Sequence, residues 1–153
     1  MIQQGFYITK EVPQRWWIMA YYNIATAADL DKVYGSLLAA GASREKAREA
    51  ADNLSRANTG YTFTSHGERA TIICIASATN YGELFNTVAH EISHATAHIC
   101  QHFKLATDGE DAAYIQGEIG NQMYEAVALS ICPECNCGEK MLTNRRKNTY
   151  TIA

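Results

Sequence analysis

The sequence predicts an α+β domain: a short mixed or antiparallel sheet packed on one central helix, with a second helix following it. Three observations lead there. Stretches rich in aromatic and β-branched residues at positions 15–24, 60–64 and 71–76 read as strands. Four other stretches repeat apolar residues at helical spacing. The order is strand, two helices, two strands, two helices and a tail, without the strict alternation of a parallel α/β sheet. The 153 residues, 47% apolar and 19% charged, suit a single core. Residues 1–131 form that one domain, and residues 132–153 form a basic tail containing cysteines.

Taken in order, Arg15-Trp16-Trp17-Ile18-Met19-Ala20-Tyr21-Tyr22-Asn23-Ile24 is the first strand, its tryptophans read as packing groups. Thr26 caps a helix carrying Leu30, Val33, Tyr34, Leu37 and Leu38, and Gly41 ends it. Ser43 starts another, whose stripe of Ala47, Ala50, Ala51 and Leu54 suits close packing and whose charges read as a solvated face. Gly60-Tyr61-Thr62-Phe63-Thr64 and Thr71-Ile72-Ile73-Cys74-Ile75-Ala76 form a hairpin around His66-Gly67-Glu68-Arg69. His66, at the loop tip, reads as solvated and Cys74 as a small buried hydrophobe.

Next comes the stretch with chemistry in it. Asn86-Thr87-Val88-Ala89-His90-Glu91-Ile92-Ser93-His94 contains HExxH in a helix that Asn80 and Glu83 start in capping-box fashion. Residues four apart share a helix face, so His90 and His94 can offer two imidazole nitrogens to one ion, usually Zn2+, with Glu91 beside them. Phe85, Val88, Ile92, Ala95 and Ile99 form an apolar stripe roughly opposite the two histidines.

A catalytic zinc normally has three protein ligands. After a connector at 104–109, the last helix and the rest of the active helix offer Glu110, Asp111, Glu118, His98 and His102. A tight antiparallel helix hairpin turning near residue 106 brings Glu118 level with His94, a mild geometric preference that leaves Glu110 open.

HExxH followed by Glu110-Asp111-Ala112-Ala113 resembles the gluzincin-type zinc metallopeptidases, the group of thermolysin-like enzymes and small repressor-cleaving peptidases of mobile elements. The string from His90 through His98-Ile99-Cys100 to Tyr114 and Gly117 is similar to small peptidase-like proteins encoded by prophages of gut bacteria. The likeness covers residues 70–125. It implies a small zincin-like domain, with His90, His94 and Glu110 as zinc ligands and Glu91 as general base on a zinc-bound water. Many relatives carry Asp or Asn four residues after the ligand Glu. This chain has Tyr114, so the carboxylate that usually orients one histidine is absent there. The implied activity is peptide-bond hydrolysis, with a peptide or protein substrate. The alternative is a non-catalytic zinc-binding regulatory or interaction protein of a mobile element, against which the intact Glu91 argues.

Tyr114, Tyr124 and His98 are candidate oxyanion donors, and Tyr114 stands beside Glu91 as the second catalytic candidate. The strand at 71–76 could accept an extended peptide if it lies at the sheet edge. Cys132, Cys135 and Cys137 form CxxCxC, too few for a closed four-ligand site by themselves. A net charge of −3 argues against nucleic-acid and membrane-surface partners, and no window is apolar enough to span a bilayer. An odd cysteine count with no visible signal peptide suits a reducing, cytoplasmic setting.

Overall fold

The computed structural model describes residues 1–130. Four strands, β1 (Ile2–Ile8), β2 (Trp16–Ile24), β3 (Gly60–Ser65) and β4 (Ala70–Ala76), form one mixed sheet in the order β1-β2-β4-β3. β1 runs antiparallel to β2, β2 parallel to β4, and β3 antiparallel to β4. Helices α1 (Ala27–Ala39) and α2 (Arg44–Leu54) cross over between β2 and β3, and α3 (Tyr81–Phe103) and α4 (Glu110–Ser130) follow the sheet.

Side chains alternate across a strand, and here both faces are covered. Ile18, Ala20 and Tyr22 of β2 join Ile73 and Ile75 of β4 in a core completed by Ile92, Ala95 and Ile99 of α3 and Ile115, Ile119 and Met123 of α4. Tyr21, Ile72 and Cys74 point the other way, onto Val33 and Leu37 of α1 and Ala47, Ala50 and Leu54 of α2. The α+β arrangement is thus three layers, helices on both sides of a sheet. Each fully buried Ile or Leu contributes about 1.5–3 kcal/mol relative to exposure. Ile18, Leu37, Leu54, Ile73, Ile99 and Ile115 are all in that state.

The caps follow the sequence. Thr26 and Asp29 close a reciprocal capping box on α1, and the Ser43 hydroxyl accepts from the Lys46 amide at the start of α2. Gly41, at φ +92°, takes the left-handed turn after α1 that a side chain resists. The Asn80 side chain accepts from the Glu83 amide at the start of α3.

Three expectations need correction. β1 has no counterpart among the strands predicted from sequence, because Gln3, Gln4 and Gly5 mask its alternation. Gln4 is nonetheless buried, its amide donating to the Gln122 carbonyl (2.8 Å) and accepting from the Tyr22 hydroxyl (2.7 Å). The strand at 71–76 is not an edge: β4 lies between β2 and β3, and β3 is the free edge beside it. Phe85 is 75% exposed, not part of the core; the buried arc of α3 is instead Leu84, Thr87, Glu91, Ile92, Ala95, Thr96, Ile99 and Cys100. The reason is that α3 packs on two partners, the sheet and α4, so its inward face is wide and partly polar.

Candidate active site

On α3, His90 and His94 stand one turn apart on the exposed face. Their Nε2 atoms are 3.0 Å apart and their ring centroids 4.6 Å apart. Two nitrogens bound tetrahedrally to one zinc at 2.0–2.1 Å would be roughly 3.3 Å apart. The pair therefore fits one ion with a small ring adjustment.

Glu91 stands on the buried side of α3 and shares a cleft with His90. It is 4% exposed and lies against the edge strand β3. The Thr62 hydroxyl donates to its Oε2 at 2.6 Å, a short charge-assisted bond. Next to Thr62 on the same strand face is Gly60, and glycine is required there. A Cβ at position 60 would stand 2.4 Å from Glu91 Cγ and 2.5 Å from Oε1. A cleft of about 290 Å³, lined by Asn53, Asn58, Gly60, Asn86, His90 and Glu91 among others, opens on this carboxylate. A larger depression of about 920 Å³ runs along α2 and Tyr61, but it holds charges of both signs and neither histidine.

All five histidines of the chain form one row. From His94 the next ring is His98, with centroids 6.3 Å apart, and His66 of the β3–β4 turn stands 6.4 Å from His98 and 5.7 Å from His102. His66 is exposed, as expected of a loop tip, yet its ring stacks on His102 with planes 3° apart. Trp16 packs its edge on His102 at 5.0 Å. The Nδ1 of His98 is 3.0 Å from the Thr64 hydroxyl. Burial, with the neighbouring His94 and His66 adding to it, holds His98 below the usual imidazole pKa.

The α4 candidates lie elsewhere. Gly120 sits level with Ile92, whose Cδ1 is 3.9 Å from where a Cβ would stand. In this antiparallel pair Glu118 is therefore level with His94, as the sequence geometry anticipated, while Glu110 is level with His102, about 12 Å further along the axis. Glu118 faces the far edge of the sheet, accepting the backbone N–H groups of Thr9 (3.2 Å) and Lys10 (3.1 Å) just past β1. Tyr114 is 61% exposed one turn before Glu118, on a helix that covers β1 and β2, while α3 covers β3 and β4. Neither Glu110 nor Tyr114 is brought to the His90–His94 pair. Among the described residues no three His, Cys, Asp or Glu side chains gather closely enough to hold a metal. Cys132, Cys135 and Cys137 lie outside the described residues.

Sequence reasoning missed Gly60, Thr62 and Thr64, although a signal was present. Gly60-Tyr61-Thr62-Phe63-Thr64 alternates small or polar residues with aromatic ones, so one face of this strand is built to meet polar side chains.

Compared with known protein families, curated proteins and solved structures, the chain matches none. Fold and site together define an α+β protein whose edge strand orients a buried glutamate beside a pair of exposed, converging histidines. Among the described residues no helix is long and apolar enough to cross a membrane.

Proposed function

We propose that the protein is a zinc-dependent peptidase of small, zincin-like architecture, acting on a peptide or protein substrate. The observation that carries this reading is the 3.0 Å convergence of His90 Nε2 and His94 Nε2 beside a Glu91 carboxylate fixed by Thr62 and Gly60. His90 and His94 would hold the metal. The resemblance adds Glu110 as third ligand; reaching the pair from its present place needs a rearrangement of α4. Zinc, when bound, polarises the scissile carbonyl and lowers the pKa of a water.

The chain's own residues supply the rest. Glu91 accepts a proton from the attacking water and passes it to the leaving amine. Thr62 holds Oε2, so the carboxylate enters the reaction in one orientation instead of sampling rotamers. The cleft lets solvent and substrate reach His90 and Glu91 from the same side.

Glu91→Gln tests this. The amide keeps the shape but cannot take a proton at neutral pH. Zinc content is expected to stay, while chelator-sensitive cleavage of a peptide library, read by mass spectrometry, falls by roughly 10² to 10⁴. Undiminished cleavage by Glu91→Gln would overturn the mechanism. The second reading, a zinc-binding regulatory module, is favoured by one observation: only two ligands converge among the described residues. Full zinc occupancy with no cleavage by the parent would select it.

A further inference from the structure

A buried tryptophan starts a chain of hydroxyls that ends at His98. Trp16 is fully buried, and its indole N–H can only donate. It donates to the Thr71 hydroxyl oxygen at 2.9 Å. Thr71 is also fully buried, and its other partner is the Thr64 hydroxyl, 2.9 Å away across the β3–β4 pair. The Thr71 proton cannot go to an indole N–H, so it goes to Thr64. Thr64 is half-buried, and the one acceptor that the described residues offer its own proton is His98 Nδ1 at 3.0 Å. With His98 Nδ1 as the last acceptor, every donor of the chain has a partner.

His98 Nδ1 is thus an acceptor, and a neutral His98 carries its proton on Nε2. A histidine that binds metal through Nε2 needs the reverse arrangement, with Nδ1–H donating to its neighbour. That reversal would leave the Thr64 oxygen accepting from both Thr71 and His98, and its own proton without an acceptor among the described residues. The chain of hydroxyls therefore disfavours His98 as a metal ligand, although His90, His94 and His98 continue one i, i+4 series on α3.

What it offers instead is an N–H donor at a fixed place. Glu91 and His98 are held by Thr62 and Thr64, alternate residues on one face of the edge strand, and they flank His94 along the helix. We propose that the Trp16–Thr71–Thr64 chain locks His98 as the Nε2–H tautomer, and that this N–H donates to the carbonyl oxygen of a bound peptide as negative charge develops on it. The donor role rests on the peptidase reading above; the tautomer and the exclusion from metal binding do not.

Long-range ¹H–¹⁵N correlation spectra at neutral pH, assigned with a His98→Asn variant, read the tautomer in zinc-free and zinc-loaded protein. The expected result is an unprotonated Nδ1 and a protonated Nε2 in both. An Nδ1–H tautomer in the parent overturns the proposal. Thr64→Val should redistribute the two tautomers, and Thr64→Ser should restore the parent spectrum. An unchanged spectrum in Thr64→Val shows that the hydroxyl chain does not set it. Zinc content in His98→Asn should equal that of the parent, and its loss would make His98 a ligand. With a cleaved peptide in hand, His98→Asn and Thr64→Val should lower kcat, by roughly 10² to 10³ for the former, at little change in KM, and Thr64→Ser should recover it. An unaltered kcat overturns the donor role. A parent that cleaves nothing removes the donor role together with the peptidase reading, while the spectra and zinc content still decide the tautomer.

Discussion

Replacing Gly60 by alanine tests the geometry of the site without touching a reactive group. In an ordinary strand position at negative φ this change stabilises by about 0.4–1 kcal/mol, because alanine has fewer unfolded conformations to lose. Gly60 is not at positive φ, so the backbone raises no objection. The obstacle is Glu91, with its Cγ, Oε1 and Cδ all within 2.7 Å of the new methyl position. The carboxylate has to leave, and with it the 2.6 Å bond from Thr62. A hydrogen bond to a charged group is worth about 1.5–3 kcal/mol, and a displaced side chain off its rotamer adds about 0.5–1.5 kcal/mol. The repulsion wins, for a net loss of about 1–4 kcal/mol. For a chain of this size that lowers Tm by roughly 2–16 °C. The assay is thermal unfolding followed by circular dichroism, run as a double-mutant cycle. In a Glu91→Ala background the clash has no partner, so Gly60→Ala should become neutral or mildly stabilising. An equal loss in both backgrounds, or no loss in the parent, would show that Glu91 does not occupy this place.

Other outcomes follow from the same geometry. His90→Ala and His94→Ala should each abolish stoichiometric zinc in protein purified without added metal, as metal analysis would show; zinc surviving both would remove the site. Glu110→Ala should retain zinc if the helix hairpin keeps its arrangement, since Glu110 is level with His102, and loss of zinc would show that α4 rearranges to bring it in. Glu118→Gln replaces one of the two accepting oxygens by an NH2, so one of the bonds from the Thr9 and Lys10 amides is lost. It should cost about 0.5–1.5 kcal/mol in denaturant unfolding and leave zinc content unchanged. Cys74 is fully buried, and burial, with Glu91 adding to it, pushes its thiol pKa up. Alkylation of the folded protein should spare it, while denatured protein reacts, as peptide mapping would read; rapid labelling of folded protein would contradict the packing of β4 against α1 and α2.

The sequence by itself determined the elements whose signals are local. Periodicity and caps depend on residues within a turn or two of each other, so Thr26, Ser43 and Asn80 marked three helix starts and Gly41 one stop. His90 and His94 share a face because an i, i+4 pair on a helix lies one turn apart. What the tertiary structure decided is everything that depends on a partner distant in the chain. Gln4 reads as polar until Tyr22 and Gln122 meet it, so β1 escaped notice. Edge and interior positions of a sheet are set by pairing order, which made β3 the free edge instead of β4. The level of Glu118 was legible from helix geometry, but its direction was not, because it is fixed by two amides at the end of β1. The same holds for Glu91 and His98. Their types and spacing were visible on one helix, while the groups that orient them are three strand residues, Gly60, Thr62 and Thr64, about thirty positions earlier. Spacing along a helix can say which side chains share a face, but only the packing of another element on that face says how each one is held.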